Sequence, residues 1–265
     1  MDLELVGKRA LVTGGSRGIG KAIARALANE GCDVVVTARG DAALRATATE
    51  ISSATGRRIV PIVADTSSSK DINTMVDAAV AALGGVDILV NNAARPGGSS
   101  VPPRMADITA EEFWEDMNVK VLGYLQCAQA VVPHMLNSGW GRIISISGLA
   151  ARSSGSTVGS MRNVAVAAMT KNLADELGPR GINVTVVHPG GTRTEASAGK
   201  FEAIAEARGI SAAEVERLMG SNSIGRMVDA AEVAVVVTFL ASPRSIAING
   251  DAIAVGGGTP GPIYY

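Results

Sequence analysis

The chain has 265 residues and a net charge of −1, with a pI near 6.2, so it lacks the basic surplus expected of a nucleic-acid binder. Hydrophobic residues make up 47% but aromatic ones only 3%. The core must therefore be built from Ala, Val, Ile and Leu, which suits parallel strands covered by helices on both faces. No apolar run approaches the ~20 residues needed to span a bilayer. The opening MDLELVGKR lacks the apolar stretch of a signal peptide. Cys32 and Cys127 have no partners at metal-binding spacing. The expectation is a cytoplasmic protein that engages no metal, membrane or nucleic acid.

In chain order, RALVTG at 9–14 predicts a strand and residues 18–29 a helix. CDVVVTAR at 32–39 is the second strand, followed by a helix over 41–54. RIVPIVAD at 58–65 and a helix over 69–83 come next, then VDILVNNA at 86–93 and a long helix over 110–137. GRIISIS at 141–147 precedes a helix over 160–178, INVTVVHPG at 182–190 is the sixth strand, and AIAVGGG at 252–258 the seventh. Strand–helix alternation of this kind implies right-handed crossovers and a doubly wound α/β fold with a parallel seven-stranded sheet. No linker or low-complexity tract divides it, so residues 1–265 read as one domain. Residues 195–222 depart from the alternation and predict one or two amphipathic helices inserted after the sixth strand. In such a sheet this insertion faces the ligand crevice and suits a substrate lid, with a surface or interface helix pair as the alternative.

TGGSRGIG at 13–20 lies where the first strand passes into the first helix. Glycine there lets the backbone approach a pyrophosphate, and the helix N-terminus offers unpaired N–H groups and a positive dipole to the anion. Gly14, Ser16, Arg17, Gly18, Ile19 and Gly20 are accordingly the candidate dinucleotide loop.

The Thr-Gly spacing to Gly18 and Gly20 resembles the short-chain dehydrogenase/reductase family. So do NNAA at 91–94, Asn118 in MNVK, GRIISIS, HPGGTRTE at 188–195, GRM with AAEVA at 225–234, and the late ING and VGGG. Ala94 and Gly256 depart mildly from the family pattern. The resemblance implies a Rossmann-type fold and hydride transfer between a nicotinamide and a carbonyl or alcohol carbon. It also implies Asp65 beside the adenine, Asn91 and Ala93 on the ribose side, Pro189, Gly190 and Thr192 beside the nicotinamide, and a homotetramer or homodimer. An acid at the end of the second strand would favour NAD. Thr37, Ala38 and Arg39 stand there instead, and Arg17 adds a second cation, which points to NADP(H).

The same resemblance implies a catalytic tyrosine with a lysine four residues later on one helix face. The only tyrosines are Tyr124, Tyr264 and Tyr265, and none is followed by lysine at that spacing. Counting back from MTKNLADELGPRGINV puts Gly159 at the tyrosine position and Asn163 at the lysine position. Gly148, directly after Ser147, takes the serine position. The candidate catalytic residues are Asn118, Ser147, Asn163 and His188, with Asn163 also a cofactor contact. His134 and Tyr124 read as structural, and Arg162 as turned about 100° from Asn163 on its helix. Tyr264 or Tyr265 has the reach to enter a neighbouring subunit's crevice. Three readings stay open: an NADP(H)-dependent oxidoreductase with a non-standard proton relay acting on a small molecule, an inactive binding or partner subunit, and a cofactor-free lyase or isomerase. An ionisable group converging on the vacated Tyr/Lys space would favour catalysis, and a small apolar gap would favour binding alone.

Overall fold

A computed structural model describes residues 1–94, 103–258 and 260. Seven parallel strands run in the order β3-β2-β1-β4-β5-β6-β9. They are β1 (Arg9–Thr13), β2 (Asp33–Ala38), β3 (Ile59–Val63), β4 (Ile88–Asn91), β5 (Gly141–Ile146), β6 (Ile182–Pro189) and β9 (Ala252–Val255). The helices α1 (Gly18–Asn29), α2 (Asp41–Thr55), α3 (Ser69–Leu83), α5 (Gly123–Ser138), α6 (Thr157–Leu177) and α9 (Ala230–Ala241) cover the sheet. Strand order reverses between β1 and β4, which is where a doubly wound sheet opens its ligand crevice. The predicted single-domain α/β fold and its seven strands are therefore present.

The β-branched runs are buried on both faces. Ala10, Val12, Val34 and Val36 pack with Ile23, Leu27, Leu44, Ile51, Val233 and Val237, so α1, α2 and α9 lie on one side. Leu11, Val35 and Leu89 alternate with them and pack with Ile72, Val131, Met135 and Leu177, so α3, α5 and α6 lie on the other. Among the described residues no helix is long and apolar enough to cross a membrane.

Two departures from the sequence pattern bear on the site. The long helix predicted over 110–137 is broken into α4 (Ala110–Met117), one wide π turn (Asn118–Leu122) and α5. The break sits where the chain passes the loop after β3: a Cβ on Gly123 would lie 2.4 Å from the Thr66 carbonyl oxygen. Within 195–222 the chain forms two helices, α7 (Ser197–Arg208) and α8 (Ala212–Met219). They share a small core of Phe201, Ala205, Val215 and Met227. A two-stranded sheet of β7 (Thr192–Arg193) and β8 (Val228–Asp229) anchors them, and Arg193 pairs with both Glu216 and Asp229.

Candidate active site

Two adjoining crevices open at the C-terminal ends of the strands, of about 620 and 600 Å³. Asn92, Ala94, Thr194 and Lys200 line both, so the two form one continuous groove.

The first crevice is built by the β1–α1 turn and the tips of β2 and β3. Gly14, Ser16, Arg17, Gly18, Arg39, Asp65 and Ala93 all line it, as the motif predicts. Gly14 has φ +66°, which a residue with a Cβ rarely adopts. Gly20 lies beneath the loop, where a Cβ would stand 2.2 Å from the Gly14 carbonyl oxygen. Ile19 turns toward the second crevice. Helix α1 starts after Arg17, which is extended and offers no side-chain cap, so the first amides need another acceptor. The Gly18 N–H finds one in the Glu195 carboxylate, 2.9 Å away at the start of the insert. The loop thus already holds an anionic group. Arg17 and Arg39 are exposed at the same crevice, and the buried Thr37 Oγ1 has no hydrogen-bond partner. Asp65 lines the wall while its carboxylate accepts from the Ser67 N–H and Oγ at 2.9 and 2.8 Å.

The neighbouring asparagines divide the work. Asn91 is fully buried and donates its amide to the Tyr124 carbonyl at 3.2 Å, away from the groove. Asn92 lines both crevices and donates to the carbonyls of Thr13 and Gly14, each at 3.0 Å. Asn92 and Ala93 therefore line the groove, and Asn91, the residue the resemblance implies there, supports them from behind.

The second crevice holds the positions where the family resemblance implies a serine and a lysine. Ser147, Gly148 and Asn163 line it together, with Pro189, Gly190 and Thr192 opposite and Phe201 and Met219 of the insert above. A Cβ on Gly148 would lie 3.1 Å from Asn163 Nδ2, so the serine and lysine positions do converge. Ser147 Oγ donates to the Asn163 carbonyl at 3.2 Å, and the buried Asn163 Oδ1 has no partner. Gly159 is buried in the first turn of α6, where its N–H donates to the cap Ser156 at 3.1 Å.

The other catalytic candidates fall elsewhere. Asn118 is exposed, lines neither crevice, and its carbonyl accepts the Gly123 N–H across the π turn. His188 is buried and lines neither crevice, and neither ring nitrogen has a partner. Burial first, then the Arg152 and Lys120 charges, pushes its pKa down to about 4, leaving a neutral ring at pH 7. Tyr124 is buried and donates its hydroxyl to the Ile146 carbonyl at 3.0 Å, a packing role. Arg162 does reach the second crevice, where its guanidinium is paired with Asp116 of α4. Tyr264 and Tyr265 lie outside the described residues.

One residue of the second crevice is not among the sequence candidates. Lys120, in the π turn, lines the second crevice, is 4% exposed, and donates from Nζ to the Ser147 carbonyl at 3.0 Å. Burial first, then the Arg162 charge, pulls its pKa down to about 7, while Asp116 pushes the other way. Helical spacing carries the signal that would have found it. Lys120, Tyr124, Cys127 and Val131 recur at steps of four, three and four, so the lysine falls on a buried face.

Comparison with known proteins agrees with this geometry. A family model described as short chain dehydrogenase matches residues 8–205. The short-chain reductase protein NovJ of Streptomyces niveus is 34% identical over 252 residues, covering 95% of this chain and 93% of its own. The 3-oxoacyl-[acyl-carrier-protein] reductase FabG of Aquifex aeolicus is 32% identical, covering 97% and 99%. Among solved structures, L-sorbose reductase from Gluconobacter frateurii, complexed with NADPH and L-sorbose, superposes with a TM-score of 0.93 at 27% identity, over 99% of this chain and 100% of that one. A short chain dehydrogenase from Burkholderia cenocepacia in complex with NADP gives 0.81 at 35% identity, over 96% and 98%.

Proposed function

This chain belongs to the short-chain dehydrogenase/reductase family, and on that premise we propose that it is an NADP(H)-dependent oxidoreductase whose proton relay uses no Tyr-x-x-x-Lys pair. The two structural neighbours described with NADPH and NADP support the cofactor. So does the fit of the first crevice: a helix N-terminus already holding a carboxylate, two exposed arginines, and no acid at the tip of β2. The Gly14–Gly20 turn would hold the pyrophosphate and Arg17 and Arg39 the 2′-phosphate. Asn163, Pro189, Gly190 and Thr192 would flank the nicotinamide. When bound, a reduced nicotinamide supplies two electrons and a carbon-bound hydrogen to a carbonyl carbon. The chain's own part is to hold the substrate oxygen near Ser147, to protonate it, and to exclude water under α7 and α8, the substrate lid of this reading.

The observation that carries catalysis over storage is the ammonium of Lys120 in the second crevice. A second reading, binding without turnover, is favoured by glycine at positions 148 and 159. NADPH fluorescence titration tests the cofactor: at least a tenfold preference over NADH is expected, about 1.4 kcal/mol. Equal or reversed affinities overturn the reading. The relay is tested on simple ketones and aldehydes, where turnover is expected to be ~10²–10⁴ below that of a tyrosine relay. Exposed apolar side chains at Trp114 and Leu122, and at Met161 and Val164 of α6, support assembly into a homodimer or homotetramer. Two buried thiols, Cys32 and Cys127, both pushed up to about 12 by burial, suit a cytoplasmic setting.

A further inference from the structure

Lys120 is an unusual residue to bury. An ammonium carries three N–H donors. Among the described residues this one has a single hydrogen-bond partner, the Ser147 carbonyl, and no carboxylate of its own. Asp116, the acid whose charge acts on it, is committed to Arg162. An apolar side chain would fill the same space without the desolvation cost of a charge. The π turn that carries Lys120 is of the kind often found at functional sites, and it aims the amine at the end of β5, beside the convergence of Ser147, Gly148 and Asn163.

We infer that Lys120 is the acid of this site, its ammonium protonating the oxygen of a carbonyl substrate seated in the second crevice beside Ser147 and Asn163. The inference rests on the oxidoreductase reading and names the group that reading leaves open. The other groups around the crevice are spoken for. Tyr124 gives its hydroxyl proton to Ile146, and Ser147 gives its own to Asn163. His188 on β6 is neutral, and guanidinium groups such as Arg162 keep their protons. Lys200 of α7 lines both crevices but is partly exposed. The charges facing Lys120 are Arg162 from α6 and Asp116 from α4, and Arg152 stands with it around His188. Burial and the Arg162 charge bring the amine near neutrality, the range in which a general acid works best at physiological pH.

The step balances simply. One N–H bond of the ammonium breaks, an O–H bond forms on the substrate, and the nitrogen keeps the electron pair. The two electrons and the carbon-bound hydrogen come from the reduced nicotinamide, which is oxidised, and solvent then reprotonates the amine.

The test uses the full chain, with 2,3-butanedione and NADPH as probes. In protein labelled with ¹³C at lysine Cε, one methylene signal is expected to titrate between about pH 5.5 and 8.5 and to be missing from Lys120→Met. A spectrum in which no lysine titrates there overturns the inference without touching the oxidoreductase reading. In single turnovers of NADPH-loaded protein, Lys120→Met and Lys120→Arg are both expected to be at least ~100-fold slower, and Lys171→Met, at an exposed lysine that lines neither crevice, within about threefold of the parent. Lys120→Arg keeps the charge without a releasable proton, so a parental rate in it makes Lys120 a fixed charge and overturns the assignment. Failure of the parent to bind NADPH overturns the oxidoreductase reading. Binding with equal rates in parent and Lys120→Met sinks the acid alone, and binding with no reduction of the dicarbonyl sinks both.

Discussion

The two crevices share a wall and differ in what they are made of. The first is made largely of backbone: glycine turns, a helix N-terminus and strand ends. Its loop glycines are fixed by packing and by backbone conformation: a Cβ on Gly20 would meet a main-chain oxygen at 2.2 Å, and Gly14 and Gly18 have φ of +66° and +57°. The second depends on side chains: Gly148 and Asn163 line it where the family resemblance implies a serine and a lysine, while Gly159, at the implied tyrosine position, lies in the first turn of α6 outside that lining. Helix α6 still docks through Val166, Thr170, Ala174 and Leu177, one turn or more below the site. Binding written into the backbone persists as long as the fold does. Chemistry written into side chains is lost, or moved, by single substitutions.

The strongest way to break the contrast is to restore the missing pair. In a Lys120→Met background, which lacks the proposed acid, Gly159→Tyr/Asn163→Lys is expected to raise turnover on simple carbonyls by ~10²–10⁴, the usual contribution of a positioned acid. The new tyrosine Cβ would stand 2.7 Å from Ser156 Oγ, so the cap serine must rotate, and a small loss of thermal stability should accompany the gain. NADPH oxidation followed by absorbance measures the outcome. Unchanged turnover would mean that more than two side chains separate the crevices.

A second effect bears on what the relocated amine costs. Lys120 has its pKa lowered from 10.5 to about 7 in the folded chain. Between those values the unfolded chain binds the extra proton, so stability rises with pH across that window. Below about pH 7 the folded protein carries a buried cation and bears the full penalty, on the order of 4–5 kcal/mol at ~1.4 kcal/mol per pKa unit. Lys120→Met should therefore unfold several degrees higher than the parent at pH 6, with the gap closing toward pH 10 and above. Thermal melts at pH 6, 8 and 10 measure it. A gap that does not change with pH would show that the amine's proton affinity is not displaced.

The first crevice can be tuned without touching the second. Arg39→Ala is expected to weaken NADPH binding by about 1.5–3 kcal/mol, roughly 10–150-fold, because a charge-assisted bond to phosphate is lost. NADH binding should stay within about threefold, since the 2′-hydroxyl makes no such bond. Arg17→Ala should follow the same pattern. Parallel losses for both nucleotides would assign these arginines to the pyrophosphate instead.

How much of this was legible in the sequence follows from the same contrast. The strands announced themselves because Val34, Val35 and Val36 are buried on both faces, which only a covered parallel sheet requires. The dinucleotide loop was legible because backbone chemistry demands glycine at fixed spacings. Counting from the α6 register gives Gly159 and Asn163 as the implied Tyr/Lys positions, of which Asn163 lines the second crevice. Lys120 was not, because a lysine in the middle of a predicted helix reads as solvent-facing unless its phase with Tyr124, Cys127 and Val131 is checked. The π turn that sets that phase depends on Gly123 passing Thr66, a contact between segments 57 residues apart that local pattern does not carry. Asn91 and Asn92 show the same limit: adjacent residues alternate faces at a strand end, and only the pairing register shows which one meets the crevice.

The smallest expected effect concerns a side chain that links the insert to the dinucleotide loop. Glu195 is exposed and accepts the Gly18 N–H at the N-terminus of α1, the spot an anionic pyrophosphate would need. The carboxylate must leave before a phosphate arrives, and its charge then remains close by. Glu195→Gln keeps the shape and removes the charge, so NADPH should bind about three- to tenfold more tightly, on the order of 1 kcal/mol. Because the group is solvent-exposed, the gain should shrink as salt rises from 0.05 M to about 0.5 M, where the screening length falls below about 5 Å. Titrations of NADPH fluorescence at both salt levels read this directly. Weaker binding in Glu195→Gln would mean that the carboxylate holds the glycine loop in its receptive shape, and that the insert supports the first crevice rather than competing for it.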